Sequence, residues 1–292
     1  MADSVKSFEI IGTGLVKRAV FSNLGATIMS LEICDRYGDI RDVVLGFNEA
    51  SDYMNNPAFF GSVVGPIANR TDKGAFSLNK KKYQLEVNDR GLNNLHTDLV
   101  NGFHKRVWSA EDNGKNSVTF SLNKKDKDMG HPGNIKVSVT YALTDKNELK
   151  IIYHADTDKK TVLNLTNHSY FNLTGPKSKS IEDTYLTINA SNFTPVREDA
   201  IPTGEIAPVK GTPMDFTKEK KIGKDIGKKD YDQISICGGY DHNYVVDGYN
   251  GKLKKIAVAR YKEKDSITTR TTQATMWRTA SKSPVTRVIR SP

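Results

Sequence analysis

Apolar and polar positions alternate along most of this chain. Ile135, Val137, Val139 and Tyr141 are interleaved with Lys136, Ser138 and Thr140, the pattern of a strand with one buried face. Leu149, Ile151 and Tyr153 repeat it after the turn-like TDKNE, and Val118 and Phe120 show it in NSVTFSL. The stretches RAVFSNLGATIMSLEI (18–33) and DVVLGF (42–47) also read as strands. Turn residues punctuate these runs at YGD (37–39), LNKKK (78–82), NDRG (88–91) and EDNGKN (111–116). Long amphipathic helical windows are absent, and FTKEKKIGKDIG (216–227) predicts one short helix. Many short strands with frequent turns predict an all-β protein, an antiparallel sandwich or barrel.

The alternation holds to about residue 259. From Arg260 the chain turns into a basic run rich in Thr, Ser and Arg, with Trp277 among its few large apolar side chains. Such a segment buries too little apolar surface to offset the entropy of ordering it. The expectation is therefore one β domain over 1–259 and a poorly ordered tail over 260–292. That tail also accounts for most of the net charge of +9: eight Lys/Arg against two Asp/Glu give it +6, leaving +3 for the preceding 259 residues. A charge placed this way argues against nucleic acid as a partner.

At 37% hydrophobic and 26% charged, the composition is that of a globular protein. No run of about 18 apolar residues offers a membrane span. The opening MADSVKSFEIIGTG lacks the apolar core of a secretory signal, so the expected location is the cytoplasm. Cys34 and Cys237, far apart and in no C-x-x-C motif, are expected as free thiols.

Four islands carry the candidate chemistry. They are NNPAFFGSVVGPIANRTDKGAFSL (55–78), NNLHTDLVNGFHKRVW (93–108), NLTNHSYFNLTG (164–175) and GGYDHNYVV (238–246). Taken singly, each admits a plain reading. Arg70 suits a surface cation better than a fixed fork of donors, His96 and His104 read as loop histidines, and Asp241 is as ordinary in a turn as in a site. Taken together, they are rich in Asn, His, Asp, Arg and aromatics, and poor in Lys. Neutral polyols call for this mixture: planar donors and acceptors for hydroxyls, ring faces for C–H surfaces. Phosphate-loop, metal-cluster and serine-elbow motifs are missing.

In order and content the islands resemble the aldose 1-epimerase, or galactose mutarotase, family. The matching stretches are ANR (68–70), NLH (94–96), GFHKRVW (102–108), HPGNIKVSVTYALTDKNELKIIYHADTDK (131–159), NLTNHSYFNLTG, PVREDAIPTGEI (195–206), GTPMDF (211–216) and GYDHNYVV (239–246). The resemblance implies a large twisted antiparallel β-sandwich and interconversion of α and β anomers of free aldoses such as glucose and galactose, without a cofactor. It implies His168 as general acid and Arg70, His96 and Asp241 as substrate contacts, with Asn69 of the same ANR stretch beside them.

Some positions depart from that pattern. Pro66 stands where the family usually has Arg, Thr97-Asp98 where Gly-Gly follows the histidine, and His104 where Asp is usual. The family's glutamate base sits in a C-terminal segment that the run after Arg260 does not resemble, and nothing around Glu263 assigns it that role. This departure keeps open a second expectation, a non-catalytic sugar binder on the same fold. It also predicts a chain less stable than a full-length relative.

Overall fold

The computed structural model describes residues 4–114, 116–175 and 180–261 with their side chains, and 267–272, 278–279 and 285–290 as backbone alone. Two antiparallel sheets face one another. The smaller runs in the order β1 (Ser7–Ile11), β2 (Val16–Ser22), β3 (Thr27–Cys34) and β4 (Ile40–Asp42). The larger, nine-stranded among the described residues, starts with Ser109–Asp112, Ser117–Lys124, Ile135–Thr144 and Glu148–Thr157. It continues through the backbone strands Val285–Arg290 and Ile267–Thr272 to Ala257–Tyr261, Tyr185–Ile188 and Lys220–Lys221.

The alternation read from Ile135 to Tyr141 is the alternation of burial. Ile135, Val137, Val139, Tyr141 and Leu143 are buried while the residues between them are not. A period-two pattern places one set of side chains on one face. That face of the larger sheet meets the smaller one: Phe21 of β2 stacks on Tyr141 at 4.6 Å between ring centroids, and Phe8 of β1 meets Phe120 of the neighbouring strand edge-on at 5.4 Å. The Tyr141 hydroxyl donates to the Ala26 carbonyl at 2.6 Å, so the largest polar tip inside this core is satisfied. A second, smaller core of Phe193, Val209, Met214 and Ile234 lies under the chain around helix α1 (Asp232–Cys237).

The turn residues act as expected. Asn79 and Lys80, both at positive φ, join Ala75–Leu78 to Lys81–Gln84 as a two-residue hairpin loop. Two expectations need correction. DVVLGF is not one strand: β4 ends at Asp42, and the next amides bond to different partners, Val43 to Leu31 and Leu45 to Tyr170. FTKEKKIGKDIG forms no α-helix. Lys220–Lys221 instead pair with Leu186 and Tyr185, and a single 3-10 turn follows at Ile222–Lys224. The α-helix lies further on, at Asp232–Cys237.

The position expected to divide the chain, 259/260, falls inside the strand Ala257–Tyr261. That strand pairs with Ile267–Thr272, and Val285–Arg290 pairs with Glu148–Tyr153. Glu263 and the remaining positions of the tail lie outside the described residues. No helix among the described residues is long and apolar enough to cross a membrane. Cys34 and Cys237 are both free thiols.

Candidate active site

His168 sits one residue beyond a two-residue ladder. Thr166–Asn167 pairs with Val63–Val64, and the backbone then brackets His168 itself: its N–H donates to Ser62 O at 2.9 Å and its carbonyl accepts from Gly61 N at 3.2 Å. Gly61 has φ of +64°, and a Cβ there would overlap the Ile28 carbonyl oxygen, so the position requires glycine. Asn167 fastens the same corner. Its Nδ2 donates to Gly61 O at 2.7 Å and its Oδ1 accepts the Ser169 N–H at 3.1 Å. Asn167 and Ser169 do not hold the imidazole itself. They fix its backbone instead, and Ser169 Oγ is buried with no partner among the described residues.

Rings, not amides, surround the imidazole. His96 meets His168 edge to face at 5.2 Å and 88°. Tyr170 lies 5.2 Å away and Phe59 5.5 Å away. Phe59 also touches His96 at 4.7 Å and His104 at 4.8 Å, so one phenyl ring stands among three imidazoles. It does so at φ +59°, an uncommon conformation for a bulky side chain. Such strain clusters at functional sites.

His96 and Arg70 come from two short paired strands, Arg70–Thr71 and Asn94–Leu95. At their ends Asn69 and His96 clasp each other: His96 N donates to Asn69 O at 3.1 Å, and Asn69 N donates to His96 Nδ1 at 2.9 Å. An Nδ1 that accepts leaves the proton of the neutral ring on Nε2. His96 therefore presents a fixed N–H donor. The Asn69 side chain accepts from Arg70 N at 2.8 Å, so Asn69 acts mainly on the local backbone. Arg70 Nε donates to Asp89 Oδ2 at 2.8 Å, with the two side chains only 15% and 12% exposed. The plain reading of Arg70 as a surface cation does not hold.

The electrostatics separate these groups. Burial, with His168, His104 and Arg70 adding to it, holds His96 down at about 3. His104 is 3% exposed and burial holds it at about 4. Neither of its nitrogens reaches hydrogen-bond geometry with a described residue, and the Leu99 carbonyl is near enough only to favour its protonated form. His168 is lowered less. Burial pushes its pKa down; a hydrogen bond to its own backbone and, less strongly, the charge of Asp241 pull it back up.

Asp241 follows the Gly238-Gly239 turn, both glycines at positive φ, at the end of α1. Its carboxylate is exposed, and its charge acts on His168, Tyr170, His242 and Cys237. His242 turns to a structural task. Its Nε2 meets Gln233 Oε1 at 3.1 Å, and Gln233 in turn holds both the N–H and the carbonyl of Val196.

Four of the five residues singled out in the sequence are thus tied into one cluster by contact or charge: Arg70, His96, His168 and Asp241. Asn69 supports it through the backbone. Sequence reasoning did not single out Phe59, Asp89 and Gln233. Phe59 and Asp89 lay inside quoted stretches, yet nothing local in AFFG or NDRG marks which residue turns inward. A groove of about 1330 Å³ opens elsewhere, along Tyr185, Lys210 and Lys220. Two of its lysines are engaged by carboxylates, Lys220 by Asp225 at 2.9 Å and Lys221 by Asp183 at 2.8 Å, and it holds no histidine, so the chemistry is assigned to the histidine cluster.

Fold and cluster together define a β-sandwich with a site of neutral rings, one guanidinium and two carboxylates. The family model described as aldose 1-epimerase matches residues 11–283, and the chain belongs to that family. Galactose mutarotase of Sus scrofa is 44% identical over 243 residues, 83% of this chain and 68% of that protein. Galactose mutarotase of Bos taurus is 43% identical over 251 residues, 86% and 70% respectively. Among solved structures, an aldose epimerase homologue from C. elegans superposes with a TM-score of 0.81 at 26% identity, covering 99% of this chain and 90% of that one.

Proposed function

We propose that this chain is an aldose 1-epimerase that interconverts the α and β anomers of free hexoses such as galactose and glucose in the cytoplasm. The family is one of isomerases, and the relatives named galactose mutarotase support the substrate class. The observation that carries the reading is the His96–His168 pair: two perpendicular imidazoles at 5.2 Å, one locked as an Nε2–H donor and the other held beside its own backbone carbonyl.

Mutarotation moves two protons. The anomeric O1–H gives its proton to a water molecule as the C1–O5 bond breaks, and O5 takes one up. Rotation about C1–C2 presents the other carbonyl face, and the same transfers in reverse close the ring. His168 delivers the proton to O5, in the role of general acid. His96 Nε2–H and the Nη groups of Arg70 bind sugar hydroxyls, and Asp241 accepts from another. Tyr170, 41% exposed beside His168, offers a face to the C–H surface of the ring. Asn69 serves by holding His96 and Arg70 in register.

Polarimetry of freshly dissolved α-D-galactose and α-D-glucose tests the proposal. The purified chain speeds the approach to equilibrium, and His168→Ala lowers that acceleration by about 10² or more. A folded wild type that leaves the spontaneous rate unchanged rejects the function. An unimpaired His168→Ala rejects the role of His168.

A further inference from the structure

We propose that Asp89 is the positioning residue for Arg70, aiming its guanidinium by taking one defined nitrogen; the inference rests on the mutarotase reading. A guanidinium offers five N–H donors in a planar fork. Asp89 Oδ2 engages Nε alone, at 2.8 Å. The two terminal nitrogens make no hydrogen bond among the described residues. They are the pair suited to bridging two vicinal hydroxyls. The positive charge also reaches the site itself, acting on His96 and on Cys237, which lies beside the Asp241 turn.

Positioning requires that the backbone carrying the carboxylate be held. Asp89 lies in a tight loop closed on Asn93: Asp89 N donates to Asn93 O at 3.0 Å and Asn93 N donates to Asp89 O at 2.9 Å. Asn93 is fully buried and anchors the loop twice more. Its Oδ1 accepts from Lys73 N at 3.0 Å and its Nδ2 donates to Asp199 Oδ2 at 3.0 Å. Asp199 pairs with Arg197, and Arg197 reaches Asp72 at 2.8 Å. Asp72 closes the circuit, two residues after Arg70. The loop at 195–201 thereby straps the Arg70 strand and the Asp89 loop together. An exposed ion pair contributes little. A chain of such bonds around a mostly buried guanidinium sets its direction, and small errors of aim at a binding group cost rate and affinity.

The test is steady-state mutarotation with galactose, alongside sugar binding by calorimetry, for the wild type, Asp89→Asn, Asp89→Glu, Arg70→Lys and the double variant Asp89→Asn/Arg70→Lys. Asp89→Asn raises KM and Kd about tenfold with kcat within about threefold, because Arg70 binds sugar and transfers no proton. Arg70→Lys does the same, and adding Asp89→Asn to it costs little more, since lysine has no Nε to aim. Should Asp89→Asn fail to fold, Asp89→Glu keeps the charge, moves it by one methylene and raises KM in the same way. Unchanged KM in folded Asp89 variants of an active wild type, or fully additive effects in the double variant, overturns the positioning role alone. A wild type that neither binds nor turns over sugar overturns the mutarotase reading, and this inference with it.

Discussion

His168 lies between opposed influences, burial lowering its pKa, and a hydrogen bond to its own backbone and the Asp241 carboxylate raising it. Below neutral pH the protonated fraction grows, and a general acid acts through that form. The His168-dependent part of kcat/KM therefore falls as pH rises through the lowered pKa. Asp241→Asn removes one of the influences that raise it, so the limb moves to lower pH and the rate at pH 7 drops. Rate profiles from pH 4.5 to 8 check this, and a limb that stays in place contradicts it. His104 supplies a second prediction. Its buried nitrogens are unsatisfied among the described residues, and its ring packs on Phe59. An apolar side chain of similar size avoids the desolvation cost, so His104→Leu raises stability by about 1 kcal/mol in urea unfolding. A fall of that size instead would show that the imidazole has a partner that matters.

The short ladders that present the site depend on close backbone contacts. Gly61 combines positive φ with a carbonyl where its Cβ would stand. Gly61→Ala therefore costs at least about 2 kcal/mol and displaces His168, lowering activity even where the variant remains folded. Thermal melts and polarimetry on one preparation read both effects. Legibility in the sequence follows the same division. Ile135–Thr144 was legible because its period is strict and one face is wholly buried. DVVLGF was not, because apolar content reports burial and not whether successive amides share one partner strand. The short helix was misplaced because Lys220–Lys221 answers to the partner strand at Tyr185–Leu186, which no local pattern records. The same holds for the site. Arg70, His96, His168 and Asp241 stood in recognisable motifs, while the contact between His96 and His168 is tertiary. Phe59 and Asp89, which organise that contact and the aim of Arg70, are ordinary residues in ordinary turns.

At the scale of the molecule, the fold keeps several histidines neutral. Burial holds His96 at about 3, and His104 and His131 at about 4; an unfolded chain returns each to about 6.5. Between these values the unfolded state binds protons that the folded state refuses. Stability is therefore full above about pH 6.5 and is lost as pH falls toward 4, by up to about 1.4 kcal/mol per pH unit for each histidine. Denaturant unfolding at pH 7, 6 and 5 displays the slope, and His104→Leu reduces it by one histidine's share. Equal stability at the three values contradicts the burial of neutral imidazoles. All of these features converge on one claim, that the cluster around His168 exchanges protons with a free sugar. Exchange NMR at equilibrium tests it most directly, using galactose labelled with ¹³C at C1 and following transfer between the α and β anomeric signals. The account predicts cross-peaks with the wild-type chain at mixing times too short for the uncatalysed reaction, and their loss with folded His168→Ala. Cross-peaks no stronger than those of protein-free sugar, or undiminished in the variant, would contradict it.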